Sequence, residues 1–498
     1  MSGAVTVAQI REIEALALAD GWSERDLIFL AGRRLAQSFA RFFPRPGTLV
    51  GYLGKGHNAA DALVALKILR DEMGWITWIR DSYPEANLAP LTQELRIEFG
   101  SCESGSFDEL CRARRPLVLL DALLGIGSNG PMRSPLLELA AEMAGLRQSW
   151  GARVAAVDLP SGIDPDLTDY APDAVTADVT FMIGTAKRGL LSETAATKTG
   201  SLVLVPIPQL TGNVVSDCEM ICPQTMGFLK SPRVFTFHKG NAGRVSILAG
   251  STSYAGAAVL AATGALRGGA GLITLHVPSE IAGIVTSKCP PEIIVRGISN
   301  PDEILSNPFD SLVVGCGMDS LTPQWITGFN FLLENTVKPV VLDAYALDLI
   351  KSSGFDQRLT DFHVLTPHPG EFLRLAPDLT GLSREEAASK YTAQTAATLV
   401  LKGCRTIIAK RNRALWCNST GTPAMATGGQ GDLLAGVIGA LLTRGNDPCE
   451  AAGLAVWACG RAAEISMQAH SQSEESLTPS DVAANLGAAF NDWRNSSR

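Results

Sequence analysis

Asp432 closes the run "ATGGQGD", which begins at Ala426 and stands directly before the apolar segment Leu433–Leu442. Two readings of this turn stand. In one, the carboxylate caps a helix and accepts orphan amide hydrogens of its first turn. In the other, Gly428, Gly429 and Gly431 let the backbone approach a ligand, and the helix amides and dipole favour an anion. Asp432 would repel that anion unless it takes the proton of an attacking hydroxyl. Two further carboxylates, Asp121 in "PLVLLDALLG" and Asp158 in "RVAAVDLPSG", end apolar runs and precede glycine turns. Burying an unpaired carboxylate is costly. Each therefore predicts a bound cation, a substrate proton or exposure in a cleft; either alone could be a solvated loop residue, but two at adjacent strand ends point to a site.

The elements that must position these residues alternate along the chain. Strand-like runs include "TLVGYLG", "ITWIR", "ADVTFMIG" and "SLVLVPIP" in the first half, and "GRVSILAG", "SLVVGCG", "PVVLDAYAL", "HVLTP" and "RTIIAK" in the second. Helical stretches separate them, such as "AADALVALKILRDEMG", where Leu63, Leu66 and Leu69 share a stripe. Continuous apolar strands predict parallel sheets covered on both faces. The fold class is α/β: two doubly wound three-layer domains. Prolines between Pro206 and His238 mark a linker region, and the domains are expected over 1–215 and 226–498. Ligands of such sheets bind where strands end and loops begin. "GCGMD", "LTPHPGEF" and "LKGCRT" are polar stretches of that kind; the last is expected between a helix and a strand.

Bulk properties narrow the function. Charged residues are 18% of the chain, below the usual ~25%, so much of it is buried. Basic residues number 42 against 50 acidic, which gives no overall electrostatic reason to bind nucleic acid. Ten cysteines lack paired zinc spacing and read as free thiols in a reducing compartment. The six histidines are dispersed and suggest no metal cluster. The N-terminus "MSGAVTVAQIREIEALALADG" reads as an amphipathic helix rather than a signal peptide. No apolar run approaches the ~18 residues of a membrane span. A soluble, cytoplasmic protein is expected.

The motifs of the second half, "HKGNAGRVSILAGS", "ALRGGAGL", "GCGM", "VLDAYAL", "LTPHPGEF", "LKGCRT" and "NSTGTPAMATGGQGDLLAG", resemble the ADP- or ATP-dependent NAD(P)H-hydrate dehydratases, a branch of the ribokinase-like superfamily. The resemblance implies repair of nicotinamide cofactor hydrated across a ring double bond. It implies that Gly429 to Asp432 hold the migrating phosphoryl group while Asp432 accepts the proton of the ring hydroxyl, a matter of positioning and electrostatics. Nucleotide contacts would come from Lys402, Gly403, Cys404, Arg405, Thr406 and Gly431. Ala257, Gly317, His368 and Asp432 would line the hydrate pocket, and Mg2+ would accompany ADP, or ATP, as phosphoryl donor. Read from the residues alone, His368 could instead be a turn residue and Lys402 a helix C-terminal cation. Tyr345 in "DAYAL" departs from the D-A-D-A-L pattern of the family.

The first half, through "GYLGKGHNAADALVALKILRDEMG", "DALLGIGSNGP", "VDLPSGIDPD" and "ADVTFMIGTAKRGLL", resembles NAD(P)H-hydrate epimerases. By that resemblance Asn58, Asp121 and Ser161 would bind K+. His57, Asn58, Ala59, Ala60 and Asp61, then Gly125, Ile126, Gly127, Ser128, Asn129, Gly130 and Pro131, with Asp158, would hold the hydrate. Asp158 would be the general acid–base group that interconverts the R and S epimers. The family pattern N-N-G-G-D-G is here His57-Asn58-Ala59-Ala60-Asp61-Ala62. Alanine disfavours positive φ and favours an earlier helix start. The expected substrates are the NADH and NADPH hydrates and ADP, with no nucleic acid or membrane partner, in a homo-oligomer. Two other readings remain: a dehydratase with a non-catalytic N-terminal binding module, and a ribokinase-like kinase of a small alcohol.

Overall fold

The computed structural model describes residues 3–100, 106–127, 131–167, 170–212, 214–224, 226–227, 232–319, 321–470 and 472–495. The chain divides into two units, 1–220 and 221–498. No described helix is long and apolar enough to cross a membrane.

The first unit carries six strands: β1 (Thr48–Leu53), β2 (Ile76–Asp81), β3 (Leu117–Ala122), β4 (Arg153–Val157), β5 (Val179–Ile183) and β6 (Ser201–Val205). They form one sheet in the order β2-β1-β3-β4-β5-β6, and every pairing is parallel. β1 and β3 are buried at every position, as strands covered on both faces must be. The chain runs outward from β1 to β2 and returns to β3 on the other side. That places a topological switch point between β1 and β3, where the loops diverge and leave a crevice.

In the second unit the strands are β8 (Arg244–Leu248), β9 (Leu272–Pro278), β10 (Ile293–Ile298), β11 (Ser311–Val314), β12 (Val340–Leu342), β13 (His363–Leu365), β14 (Thr398–Leu401), β15 (Ile407–Ala409) and β16 (Leu415–Asn418). The sheet order is β10-β9-β8-β11-β12-β13-β14-β15-β16, followed at the edge by β7 (Cys218–Ile221). Its switch point lies between β8 and β11. Under the sheet the helix Gln430–Leu442, buried from Leu433 to Leu442, packs on the helix Ala255–Arg267. Small residues set their separation: a Cβ on Gly436 would overlap the Ala261 carbonyl, and one on Gly264 the Leu433 carbonyl.

Three expectations need correction. The second sheet is not parallel throughout, because β14, β15 and β16 pair antiparallel. "LKGCRT" therefore joins two antiparallel strands rather than a helix to a strand; the apolar run before it is continuous and carries no period that separates strand from helix. The linker region contains β7, whose four residues are too few to show alternation.

Candidate functional sites

In the first unit, loops after β1, β3 and β4 converge at the switch point. The helix His57–Met73 starts at His57 behind Gly56, so Ala59 and Ala60 lie in its first turn and are fully buried. Alanine suits that helical, packed environment, where the glycine turn of the pattern would not be needed. Asn58 Nδ2 donates to the Leu124 carbonyl (2.8 Å), while its Oδ1 is buried with no hydrogen-bond partner among the described residues. Asp121, the fifth residue of β3, accepts from the Ser161 hydroxyl and the Ser161 amide, both at 2.7 Å. No basic side chain among the described residues pairs with it, and burial lifts its pKa to about 6. Gly125 passes close to Asn58: a Cβ on it would sit 3.2 Å from that of Asn58, a tight contact. Asn58, Asp121 and Ser161 thus form one oxygen-rich cluster. Ile126 packs on the separate small core of Val5, Ile10 and Ile13, Gly127 faces open space, and Pro131 is exposed. Ser128, Asn129 and Gly130 lie outside the described residues.

Asp158, two residues beyond the last register pair of β4 with β3, has φ 67°. Its Oδ1 accepts from the Ile183 amide (2.9 Å) and from Lys187 Nζ. Lys187 is 1% exposed and also donates to the Ile183 (2.9 Å) and Thr185 (3.2 Å) carbonyls. A buried ammonium with all three protons used holds the Asp158 carboxylate in place. Burial raises the pKa of Asp61 well above its ordinary value, and the charges of Asp158 and Glu14 add to it. Glu14, from the helix Val7–Ala19, is raised in the same way by burial and Asp158. His57 Nε2 lies 3.0 Å from Glu24 Oε1, and its charge pulls against the rise at Glu14. Lys187 and Glu14 escaped the motif reading. Lys187 lies in the quoted "GTAKRG", but nothing in its spacing marks it as a partner of Asp158.

In the second unit the helix Gln430–Leu442 begins behind Gly429, at φ 93°. Asp432 is its third residue and makes no capping bond, which removes the capping reading. The first amide bonded within the helix is that of Leu433, to the Gly429 carbonyl (3.1 Å). The preceding helix amides have no acceptor within the helix. Opposite lies Asp343, just past β12 and 2% exposed. The register Leu342↔Leu365 sets Asp343 beside Thr366, and Thr366 Oγ1 donates to Asp343 Oδ1 (2.7 Å). Lys402 Nζ donates to the same oxygen (2.8 Å) and lies 3.7 Å from Glu371 Oε2. Gly431 brings the helix start close to Lys402: a Cβ on it would lie 3.1 Å from Lys402 Nζ. Burial first, then the charge of Asp343, lifts the pKa of Asp432 to about 6, against the pull of Lys402.

The remaining assigned residues divide. Ala257 and Gly317 come together, since a Cβ on Gly317 (φ 62°) would sit 2.6 Å from that of Ala257. His368 caps the helix Pro369–Leu375, its Nδ1 accepting from the Gly370 (3.0 Å) and Glu371 (3.4 Å) amides, and remains exposed. The "LKGCRT" turn is clasped by Arg384, which donates to the carbonyls of Cys404 (2.7 Å), Leu401 (3.0 Å) and Lys402 (3.2 Å). Within it Cys404 is exposed, Arg405 is buried at φ 53°, and Thr406 Oγ1 donates to the Gly403 carbonyl (3.0 Å). Arg384, Glu371 and Cys316 were not legible as site neighbours, because they become so only when distant loops meet.

A carboxylate in the first turn of a glycine-opened helix, facing a lysine held by two carboxylates beyond the parallel strands β12, β13 and β14, marks the site of a doubly wound α/β unit, with a second doubly wound unit before it in the chain. A family model described as NAD(P)H-hydrate dehydratase matches residues 245–485, and one described as YjeF-related protein N-terminus matches 24–189. Relatives named bifunctional NAD(P)H-hydrate repair enzymes include one from Gloeobacter violaceus, 33% identical over 91% of each chain. Another, from Coxiella burnetii, is 30% identical over 97% of this chain and 98% of its own. The chain belongs to the bifunctional NAD(P)H-hydrate repair enzymes. Among solved structures, an ADP/ATP-dependent NAD(P)H-hydrate dehydratase from Bacillus subtilis, crystallised with ATP and Mg2+, is 29% identical, covering 53% of this chain and 94% of its own at TM-score 0.46.

Proposed function

We propose that the second unit phosphorylates the ring hydroxyl of the S hydrate of NADH or NADPH and eliminates phosphate, with ADP as donor and ATP as the alternative. Asp432 takes the hydroxyl proton as the oxygen–phosphorus bond forms and the bond to the nucleotide breaks. Loss of phosphate, with a proton from the neighbouring ring carbon, restores the double bond. The unpaired amides of Gln430, Gly431 and Asp432 receive the charge that develops on the phosphoryl oxygens, and Lys402 with the "LKGCRT" turn holds the nucleotide. Asp343 keeps the Lys402 ammonium oriented. Asp343, Glu371 and Asp432 together outnumber the cation Lys402, an excess of oxygen-borne negative charge that fits a hard dication. Glu371 and Asp343 would hold Mg2+ beside the nucleotide, where it would supply charge neutralisation between phosphates. The carrying observation is Asp432 itself: uncapped, lifted towards neutrality, and set where helix amides lack acceptors.

The first unit, in this reading, interconverts the R and S hydrates so that both drain through the dehydratase. Asp158, positioned by Lys187, exchanges protons with the departing and returning hydroxyl, help worth ~10²–10⁴ in rate. Asn58, Asp121 and Ser161 supply hard oxygens for K+. The orphaned Oδ1 of Asn58 and the cation-free Asp121 carboxylate support that fit, and the ion would anchor the loops around the hydrate. We further infer a cytoplasmic homo-oligomer, which fractionation and sedimentation test.

The deciding experiment feeds the purified chain a mixture of both hydrates with Mg2+, K+ and either ADP or ATP. Full return of reduced-ring absorbance is expected. Asp158→Asn should strand the R epimer once spontaneous exchange is subtracted. Consumption of one epimer by the unaltered protein would make the first unit a non-catalytic module. A stable phosphorylated alcohol in place of restored cofactor would favour the kinase reading.

A further inference from the structure

We propose that Cys316, Asp343 and Asp432 form a binding site for a thiophilic divalent cation of the Zn2+ or Cd2+ class. Cys316 follows β11 and is fully buried. Its backbone is fixed by its neighbours: Gly315 (φ 118°) and Gly317 (φ 62°) force the turn, a Cβ on Gly315 would overlap the Asp343 carbonyl, and the Cys316 carbonyl accepts from the Gly250 amide at 2.8 Å. The thiol is thereby held 3.7 Å from Asp343 Oδ2. Asp343 Oδ1 is committed to Thr366 and Lys402, which turns Oδ2 to the thiol. One ligand atom from each of Cys316, Asp343 and Asp432 falls within 4.8 Å of the others.

These distances suit a metal. Zinc–sulfur and zinc–oxygen bonds of about 2.3 and 2.1 Å at a tetrahedral angle put sulfur and oxygen about 3.6 Å apart. Carboxylates exceed ammonium groups here, so a dication meets favourable charge. The thiol discriminates between ions: Mg2+ demands octahedral oxygen and water, while thiolate selects Zn2+ and its heavier congeners. On binding, the Cys316 S–H bond breaks, the proton leaves to solvent, and a metal–sulfur bond replaces it. Three protein ligands leave one position for water or a phosphate oxygen. Binding needs nothing from the repair reading. Its consequence rests on that reading: a cation on Asp432 removes the proton acceptor and stops dehydration.

The test uses metal-free, full-length protein. Titration with CdCl2, followed by the ultraviolet thiolate-to-cadmium band, should show one more tightly bound ion in the unaltered chain than in Cys316→Ser. Cys404→Ser, which removes an exposed thiol, should keep that ion. Zn2+ added over excess Mg2+ should inhibit hydrate dehydration, with recovery on chelation. Cys316→Ser, each rate normalised to its own zinc-free value in Mg2+, should need at least about tenfold more Zn2+, since even outer-shell losses cost ~10–100-fold in affinity. Equal cadmium binding by both proteins overturns the site; equal zinc inhibition overturns its inhibitory role. If the serine variant does not fold, X-ray absorption of the unaltered chain loaded with one equivalent of Zn2+ should show one sulfur ligand, and a zinc shell without sulfur overturns the site. If the protein repairs no hydrate, the cadmium and X-ray absorption results still decide the site while the repair reading falls.

Discussion

Replacing Asp432 by Asn should remove activity and stabilise the protein at the same time. The rise of its pKa from 3.8 to about 6 is about 2 units, and each unit is about 1.4 kcal/mol. Holding Asp432 ionised in the folded chain therefore costs up to about 3 kcal/mol. The sign follows from linkage. The folded-state pKa lies above the unfolded one, so the cost is absent below about pH 4, grows through the interval, and is complete above about pH 6. Asparagine keeps the shape and drops the charge. For a unit of about 280 residues, with an unfolding entropy of about 2.1 cal/mol/K per residue, Asp432→Asn should raise the melting temperature by up to about 5 °C at pH 8. The gain should vanish near pH 4. Dehydration should fall ~10²–10⁴-fold, and the rate of the unaltered enzyme should drop about tenfold per pH unit below 6. Calorimetry across that pH range and the hydrate assay are the two readouts. Undiminished turnover in the variant, or a melting gain that persists at pH 4, would refute the placement of a strained, proton-accepting carboxylate there.

Lys187→Met should unpair a buried charge at a cost of about 3–5 kcal/mol and stop epimer exchange; thermal unfolding and chromatography of the two hydrates measure both effects, and the double change with Asp158→Asn should recover part of the stability. Gly436→Ala should destabilise the second unit by about 1–3 kcal/mol or more through overpacking, because its Cβ meets the Ala261 carbonyl; denaturant unfolding reads it. His276 is 1% exposed, lacks hydrogen-bond partners at both ring nitrogens among the described residues, and has its pKa pushed down by burial to about 4. Its folded pKa lies below the unfolded 6.5, so stability is lost as pH falls from about 6.5 to 4, and His276→Leu should flatten that loss in a melting series over the same range.

Much of the architecture was written in local pattern. β1 and β3 are continuous apolar runs, and such runs bounded by glycine read directly as covered parallel strands. The strands that escaped, β7, β10, β14 and β16, are short or mixed in polarity: "IIVRGI" in β10 places Arg296 and Gly297 among apolar residues. Asp121, Asp158 and Asp432 announced themselves because a carboxylate beside an apolar run is expensive unless it has a partner. Their partners gave no comparable signal. Lys187, 29 residues from Asp158 in sequence, is an unremarkable basic residue until β4 and β5 lie side by side.

The amino-acid order by itself determined where strands end and which carboxylates stand at those ends, because both follow from burial cost and from the period of apolar residues. Only the tertiary structure decided which of those ends meet. The Lys402–Asp343 pair, 59 residues apart, depends on β12, β13 and β14 pairing in register; the burial that lifts Asp432 depends on loops contributed by several strands. That Asp432 does not cap its helix was likewise decided by backbone geometry, since Gly429 took the cap position and left the carboxylate in the first turn. Proximity between distant loops is a property of sheet order, and no window of sequence contains it.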